Sequence, residues 1–149
     1  MQRHICCLAF FFFLRAMSKQ SQPFDFELMF RALADNTRLR LLNLMASGEI
    51  CVCYFVEVLK TSQPKISRHL AYLRRAGLVE SRRDGKWIHY QIAQPPDPGA
   101  AHILNEVRAW LLLDPTMRRE RERLTAVCCM ASPPIQIQGA PRPEGVPQK

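Results

Sequence analysis

The sequence lacks several features that would mark a membrane protein, a secreted protein or an enzyme. Its longest apolar run, from Ile5 to Leu14, has ten residues, which is too short to span a bilayer. No small-residue cleavage pattern follows that run, as a secretory signal would require. The chain also has no Cys-x-x-Cys and no nucleotide-binding glycine loop, and 149 residues leave no room for a second catalytic domain. A thiol oxidoreductase is therefore disfavoured.

The N-terminal region consists of an apolar part followed by a polar part. After the apolar run, Met17-Ser18-Lys19-Gln20 begins a polar stretch of the kind found at an ordinary protein start. We expect residues 1–16 to be an upstream extension from a misplaced start codon, and residues 1–23 together to precede the folded domain.

The six cysteines occur in three clusters: Cys6-Cys7, Cys51-Val52-Cys53 and Cys128-Cys129. Secreted domains stabilised by disulfide bonds distribute their cysteines across loops, because neighbouring residues form disulfide bonds with each other poorly. Clustered thiols instead indicate a reducing compartment, the cytoplasm, and a ligand set for soft ions.

Basic residues are in excess and are concentrated in one region. Lysine and arginine number 21 against 13 acidic residues, which gives a formal net charge of +8. Between residues 61 and 90 there are seven lysines and arginines but only two acidic residues. A polyanionic partner is favoured, and nucleic acid is the expected one.

Hydrophobic periodicity predicts a mainly helical chain. Apolar residues recur at helical spacing in five segments, and a charged stretch at 117–123 can extend as a further helix. The five predicted helices span about 24–34, 37–46, 52–60, 62–76 and 102–113.

Two alternating segments, Leu78–Arg83 and Lys86–Ile92, flank Asp84-Gly85, which is a strong signal for a tight β-hairpin. A short helix, a turn, a basic helix and a basic hairpin together predict an α+β fold, the winged helix-turn-helix. We place this domain at 24–113, a C-terminal segment at 114–130 and, from its proline, glycine and glutamine content, a disordered tail at 131–149.

Residues of the basic helix and the hairpin are the predicted DNA contacts. Side chains in the early turns of such a helix reach base edges and flanking phosphates, whereas the wing reaches the backbone or minor groove. Trp87 and Tyr90 are expected to pack the wing on the core. The predicted contact residues are Ser62, Gln63, Lys65, Ser67, Arg68, His69, Arg74, Arg82, Arg83 and Lys86.

Three stretches resemble the ArsR/SmtB family, and within it the arsenical-responsive repressors. They are Ile50-Cys51-Val52-Cys53, the run Ser-Gln-Pro-Lys-Ile-Ser-Arg-His-Leu at 62–70, and Gly-Lys-Trp-Ile-His-Tyr at 85–90. The resemblance covers about residues 24–113. It implies a homodimer, joined through its first and last helices, that represses by binding an inverted-repeat operator in double-stranded DNA. It also implies release when As(III) or Sb(III) binds, with no constitutive cofactor.

The thiol spacing raises a geometric question about such a site. Trivalent arsenic is soft and prefers three thiolates. Residues two apart on a regular helix lie about 200° apart around its axis, whereas in an extended segment they share one face. One ion could therefore hold Cys51 and Cys53 only if the start of the helix is unwound or distorted. The family pattern usually has a third cysteine three residues after the second, but Val56 occupies that position here.

The identity of the third ligand is therefore undecided. Cys128 or Cys129 is the preferred donor, from the same subunit or the other one; Cys6, Cys7, glutathione or water are alternatives. The thiols could instead sense cadmium, lead or zinc, respond to oxidation, or simply be buried core residues.

Overall fold

The computed structural model describes residues 23–143 and 145–146. Within that part the chain forms six α-helices, three short strands and two 3-10 turns. The elements are α1 (Phe26–Leu33), α2 (Asn36–Leu44), a 3-10 turn (Met45–Ser47), β1 (Ile50–Cys51), α3 (Val52–Leu59), α4 (Gln63–Arg75), β2 (Val79–Asp84), β3 (Trp87–Ile92), α5 (Pro98–Leu113), α6 (Pro115–Cys128) and a 3-10 turn (Ile135–Ile137).

Aspartates start four of the helices. The Asp25 carboxylate accepts the backbone N–H of Leu28 at 2.8 Å before α1, and that of Asp35 accepts the N–H of Arg38 at 2.9 Å before α2. Asp97 and Asp114 cap α5 and α6 in the same way. Each cap satisfies backbone donors that a helix start leaves open, and contributes about 1 kcal/mol.

Helices α3 and α4 form the predicted helix-turn-helix. Lys60 ends α3 in the left-handed conformation, with φ 50°, and reverses the chain within three residues. Ile66, Leu70 and Leu73 form the fully buried stripe of α4, as their spacing predicted. The α4 helix is thereby fixed with its polar side turned outward.

The sheet has one strand more than the predicted hairpin. Its order is β1-β3-β2, with both pairs antiparallel, and Cys51 pairs with His89 in the β1–β3 ladder. The hairpin turn also lies one residue later than predicted, because Asp84 still pairs with Trp87. Gly85, with φ 56°, takes the first turn position, where a positive φ is needed.

The C-terminal region is more integrated than its composition predicted. Leu124 and Val127 of α6 belong to the same core as the helix-turn-helix, and the Arg40 guanidinium pairs with the buried Glu120 carboxylate at 2.6 Å. The structured domain thus continues past residue 113. Ile137, in the segment predicted to be disordered, is only 2% exposed, and one buried isoleucine can contribute about 1.5–3 kcal/mol.

Candidate functional site

The recognition helix α4 presents an exposed polar face opposite its buried stripe. Ser62 stands at the N-cap position, although its hydroxyl makes no capping hydrogen bond. Most of the predicted contact residues on this helix are exposed, and Ser67 is half-buried. The exposed ones are Ser62, Gln63, Lys65, Arg68 and Arg74. A basic surface of this length suits the major groove of a duplex.

His69 departs from this pattern. Its side chain is 17% exposed, and Nδ1 lies 3.5 Å from Oδ1 of Asp35, the residue that caps α2. Burial lowers the pKa of His69, and the Asp35 carboxylate opposes that effect only in part. His69 therefore joins α4 to the start of α2 in this structure rather than standing free at the surface.

The basic side chains of the wing are exposed, but each has a local partner. Arg82 makes a two-point ion pair with Glu49, with nitrogen–oxygen distances of 2.8 and 3.1 Å. Arg83 donates to the carbonyl of Gly85, and the Lys86 ammonium lies 4.8 Å from the centre of the Trp87 ring. Exposed pairs of this kind contribute about 0–1 kcal/mol, so a phosphate can compete for these cations at little cost.

The two thiols of the central cluster are already side by side. The Cys53 thiol donates to Cys51 Sγ across 2.9 Å. Cys51 precedes α3 in an extended conformation, with φ −67° and ψ 141°, and Cys53 lies in the first turn. Because Cys51 is extended rather than helical, the two side chains do not lie on opposite faces of a helix. The sulfurs therefore come together without a distortion of α3.

This contact differentiates the two thiols chemically. The hydrogen bond from Cys53 lowers the pKa of Cys51 to about 7, although burial acts in the opposite direction. The same hydrogen bond, together with burial, raises the pKa of Cys53 well above the ordinary thiol range. Near neutral pH the pair can thus offer one thiolate while the second proton is retained.

The C-terminal thiols are at the end of α6, a different element from the one that carries the central pair. Cys128 is buried at the end of α6, where burial raises its pKa to about 11, and Cys129 is exposed. Burial raises the pKa of Tyr54 to about 12, and charges at Cys128 and Cys53 add to the shift. Across residues 23–143 and 145–146, no three cysteine, histidine or carboxylate side chains are gathered as a metal site. Cys6 and Cys7 lie outside the described residues.

Sequence reasoning missed two residues beside the thiol pair. Glu49 Oε2 lies 3.9 Å from Nδ1 of His89, which is 5% exposed and sits directly across the ladder from Cys51. His89 Nε2 is buried and has no hydrogen-bond partner among the described residues. Because β1 has only two residues, no alternating pattern could have revealed this neighbourhood.

A basic recognition helix beside a basic wing defines a DNA-binding regulatory protein of the winged helix-turn-helix class. The sequence profile of the bacterial regulatory protein, arsR family, matches residues 35–81. The arsenical resistance operon repressor of Escherichia coli strain K12 is 44% identical over 100 residues, which cover 66% of this chain and 78% of that protein. The chain belongs to the ArsR family.

Other relatives and solved structures were also found. The arsenic resistance transcriptional regulator ArsR1 of Pseudomonas putida strain KT2440 is 52% identical over 92 residues, covering 58% of this chain and 72% of that protein. The solution structure of the homodimeric DNA-binding domain of Mycobacterium bovis Mb0332 has a TM-score of 0.48 and 26% identity, and covers 74% of this chain and 89% of that one. None of the described helices has the length and apolar character needed to cross a membrane.

Proposed function

We propose that this protein is a cytoplasmic repressor of an arsenic-resistance operon. It binds operator DNA as a homodimer and leaves it when As(III) or Sb(III) binds cysteine thiolates. The observation that supports this most directly is the Cys51–Cys53 pair, with sulfurs 2.9 Å apart and one thiol acidified to a pKa of about 7. Soft trivalent metalloids favour such a donor set.

The location of the pair suggests how binding would reach the DNA surface. Cys51 belongs to β1, which is hydrogen-bonded to the wing strand β3, and Cys53 lies at the start of α3, the first helix of the helix-turn-helix. An ion that rearranges the two sulfurs therefore acts on both DNA-contacting parts at once. To change occupancy from 99% to 1%, the ion must favour the released state by about 5.5 kcal/mol.

DNA recognition is assigned to α4 and the wing. Lys65 and Arg68 are exposed in the first half of α4, where a recognition helix approaches base edges. We assign phosphate contacts to Ser62 and Ser67, and the remaining contacts to Gln63, Arg74, Arg82, Arg83 and Lys86, with His69 limited to positioning α4.

An exposed apolar surface supports the homodimer. Leu113 is 82% exposed and Trp110 is 59% exposed on α5, and Phe30 is 54% exposed on α1. Large apolar side chains of this kind are usually covered by a partner. The first and last helices of the predicted domain, α1 and α5, are thus our proposed interface, with a twofold axis that matches an inverted-repeat operator.

A third thiolate is needed to complete an arsenic site. Cys128 is our first candidate, because it is buried at the end of α6, a helix that packs against α3. Cys129 is the second, from the same subunit or across the dimer. Binding would then pull the end of α6 toward α3.

The decisive experiment measures operator release by arsenite, cadmium and peroxide. We expect arsenite to release the wild-type protein and Cys6→Ser/Cys7→Ser equally, whereas Cys51→Ser stays bound. Cys128→Ser/Cys129→Ser should need much more arsenite. If Cys51→Ser is released at wild-type arsenite concentrations, the thiol site is refuted. Stronger release by cadmium or peroxide would instead indicate a divalent-metal or redox sensor of the same fold.

A further inference from the structure

The described C-terminal residues 133–143 and 145–146, which we call the strap, contact the helix α3, the wing and the turn before β1. Its 3-10 turn packs against α3 through Ile137, which is 2% exposed, while Ile135 two residues earlier is 86% exposed. Ile137 is thus one buried contact of the strap; Pro143 is also buried, and Ala140 and Val146 pack against the core.

The strap then passes the wing and returns to the start of β1. Gly139 lies against the ring of Trp87: a Cβ there would be 4.0 Å from the ring. Gly145 is seated on the backbone of Ser47 so closely that a Cβ would come within 1.7 Å of the Ser47 carbonyl oxygen. One contact is thus with the first residue of β3, and the other is with the turn that precedes β1.

The strap also adds a positive charge near the thiols. Arg142 lowers the pKa values of both Tyr54 and Cys128, although burial has the larger and opposite effect on each. A cation in this position favours thiolates over thiols.

The thiol pair is closed to solvent in this arrangement. Cys51 is 0% exposed and Cys53 is 9% exposed, so an ion cannot reach both sulfurs unless some element moves. The backbone hydrogen bonds of the strap join its own residues, such as Ile137 to Pro134 and Ala140 to Ile137. The core helices and the sheet are held by continuous ladders, and segments without such ladders open at lower free energy.

We propose that the surface formed by α3, Trp87 and the Ser47–Gly48 turn is a docking site for the strap, and that the docked strap controls access to Cys51 and Cys53. The strap must leave this surface before a thiol reagent or a soft ion can enter. The inference rests on the proposed function only where it names a trivalent metalloid as the ion that binds these thiols.

Ile137→Asp and Ile135→Asp form a matched pair of variants in the full-length protein. The probe is N-ethylmaleimide, and the labelling rates of Cys51 and Cys53 are measured by peptide mass spectrometry. Ile137→Asp should increase these rates about tenfold or more, because a charged side chain cannot occupy the buried position. Ile135→Asp should label at the wild-type rate.

Two further measurements keep the test decisive. Brief digestion with a non-specific protease should cut the strap faster in Ile137→Asp, while thermal unfolding by circular dichroism reports whether the core is intact. If Ile137→Asp weakens the core, the labelling is repeated with Gly145→Ala, whose added Cβ would clash with Ser47. The proposal is overturned if the strap is cut faster but Cys51 and Cys53 are not labelled faster. It is also overturned if Ile135→Asp increases the labelling rates as much as Ile137→Asp does.

The outcome of the labelling test does not depend on the outcome of the operator-release test of the proposed function. Maleimide labelling needs neither arsenite nor DNA, so a strap that controls access would be established even if arsenite fails to release the operator. Conversely, if arsenite releases the operator while the variants are labelled at the wild-type rate, the result supports the sensor function and refutes control of thiol access by the strap.

Discussion

The hydrogen bond between the two central thiols can be tested by removing its donor. Cys53→Ala leaves Cys51 buried but without the contact that lowers its pKa to about 7, so burial acts on the thiol with less opposition. The pKa of Cys51 should then return to the ordinary value of 9.0 or exceed it. A change of two pKa units corresponds to about 2.7 kcal/mol, and it lowers the thiolate fraction at pH 7 from about one half to about 1%.

The assay is a titration of thiolate ultraviolet absorbance in a protein whose other four cysteines are replaced by serine. Cys53→Ser is the matched control, because its hydroxyl can still donate to Cys51. The parent pair should titrate first near pH 7, Cys53→Ala at pH 9 or above, and Cys53→Ser in between. A midpoint near 7 in Cys53→Ala would refute the assignment of the shift to this hydrogen bond. The four replaced residues are Cys6, Cys7, Cys128 and Cys129.

The same pair makes stability depend on pH with a definite sign. Between about pH 7 and 9 the folded pair has lost one proton that the unfolded chain still binds, so the free energy of unfolding should rise with pH. Above 9 the unfolded chain loses both protons while folded Cys53 keeps its own, so stability should fall again. Urea unfolding across this range should show a maximum near pH 9, with a rise of up to about 3 kcal/mol, and Cys53→Ala should lack the rise.

Three further predictions concern the DNA surface, the dimer and the C-terminal helix. Arg68→Ala should weaken binding to an operator fragment by about 1–3 kcal/mol, and an unchanged affinity would remove this side chain from the reading surface. Leu113→Glu should shift the protein toward monomer in sedimentation, whereas a persistent dimer would place the interface elsewhere. Glu120→Ala removes the buried partner of Arg40 and should lower the free energy of unfolding by about 2–4 kcal/mol in urea, while exposed Glu122→Ala should change it by less than about 0.5.

The sequence predicted the helix-turn-helix well because its helices have complete apolar stripes and clear ends. Strand β1 could not be predicted in this way, since two residues show no periodicity and their partners in β3 lie far along the chain. The sequence could not decide between the helical and the extended arrangement of the thiols, because it does not show at which residue α3 begins; Cys51 occupies an extended N-cap.

The buried contacts of the C-terminal region could not be predicted for a different physical reason. Composition describes an average, and a proline-rich average predicts disorder. One side chain, Ile137, is nevertheless buried on α3, and no local pattern distinguishes it from exposed Ile135. Only the tertiary surface that receives it makes the difference.

The attachment of α6 has a consequence for cooperativity. The Asn43 amide donates to the carbonyl of Met117 at 2.9 Å and accepts from Arg121, whose guanidinium also reaches the carbonyl of Leu112 at the end of α5. Three helices therefore share one polar junction around a residue that is 2% exposed. In hydrogen-exchange experiments α6 should behave as part of the same foldon as α2, so its amides should exchange through global unfolding rather than through fraying of a terminal appendage.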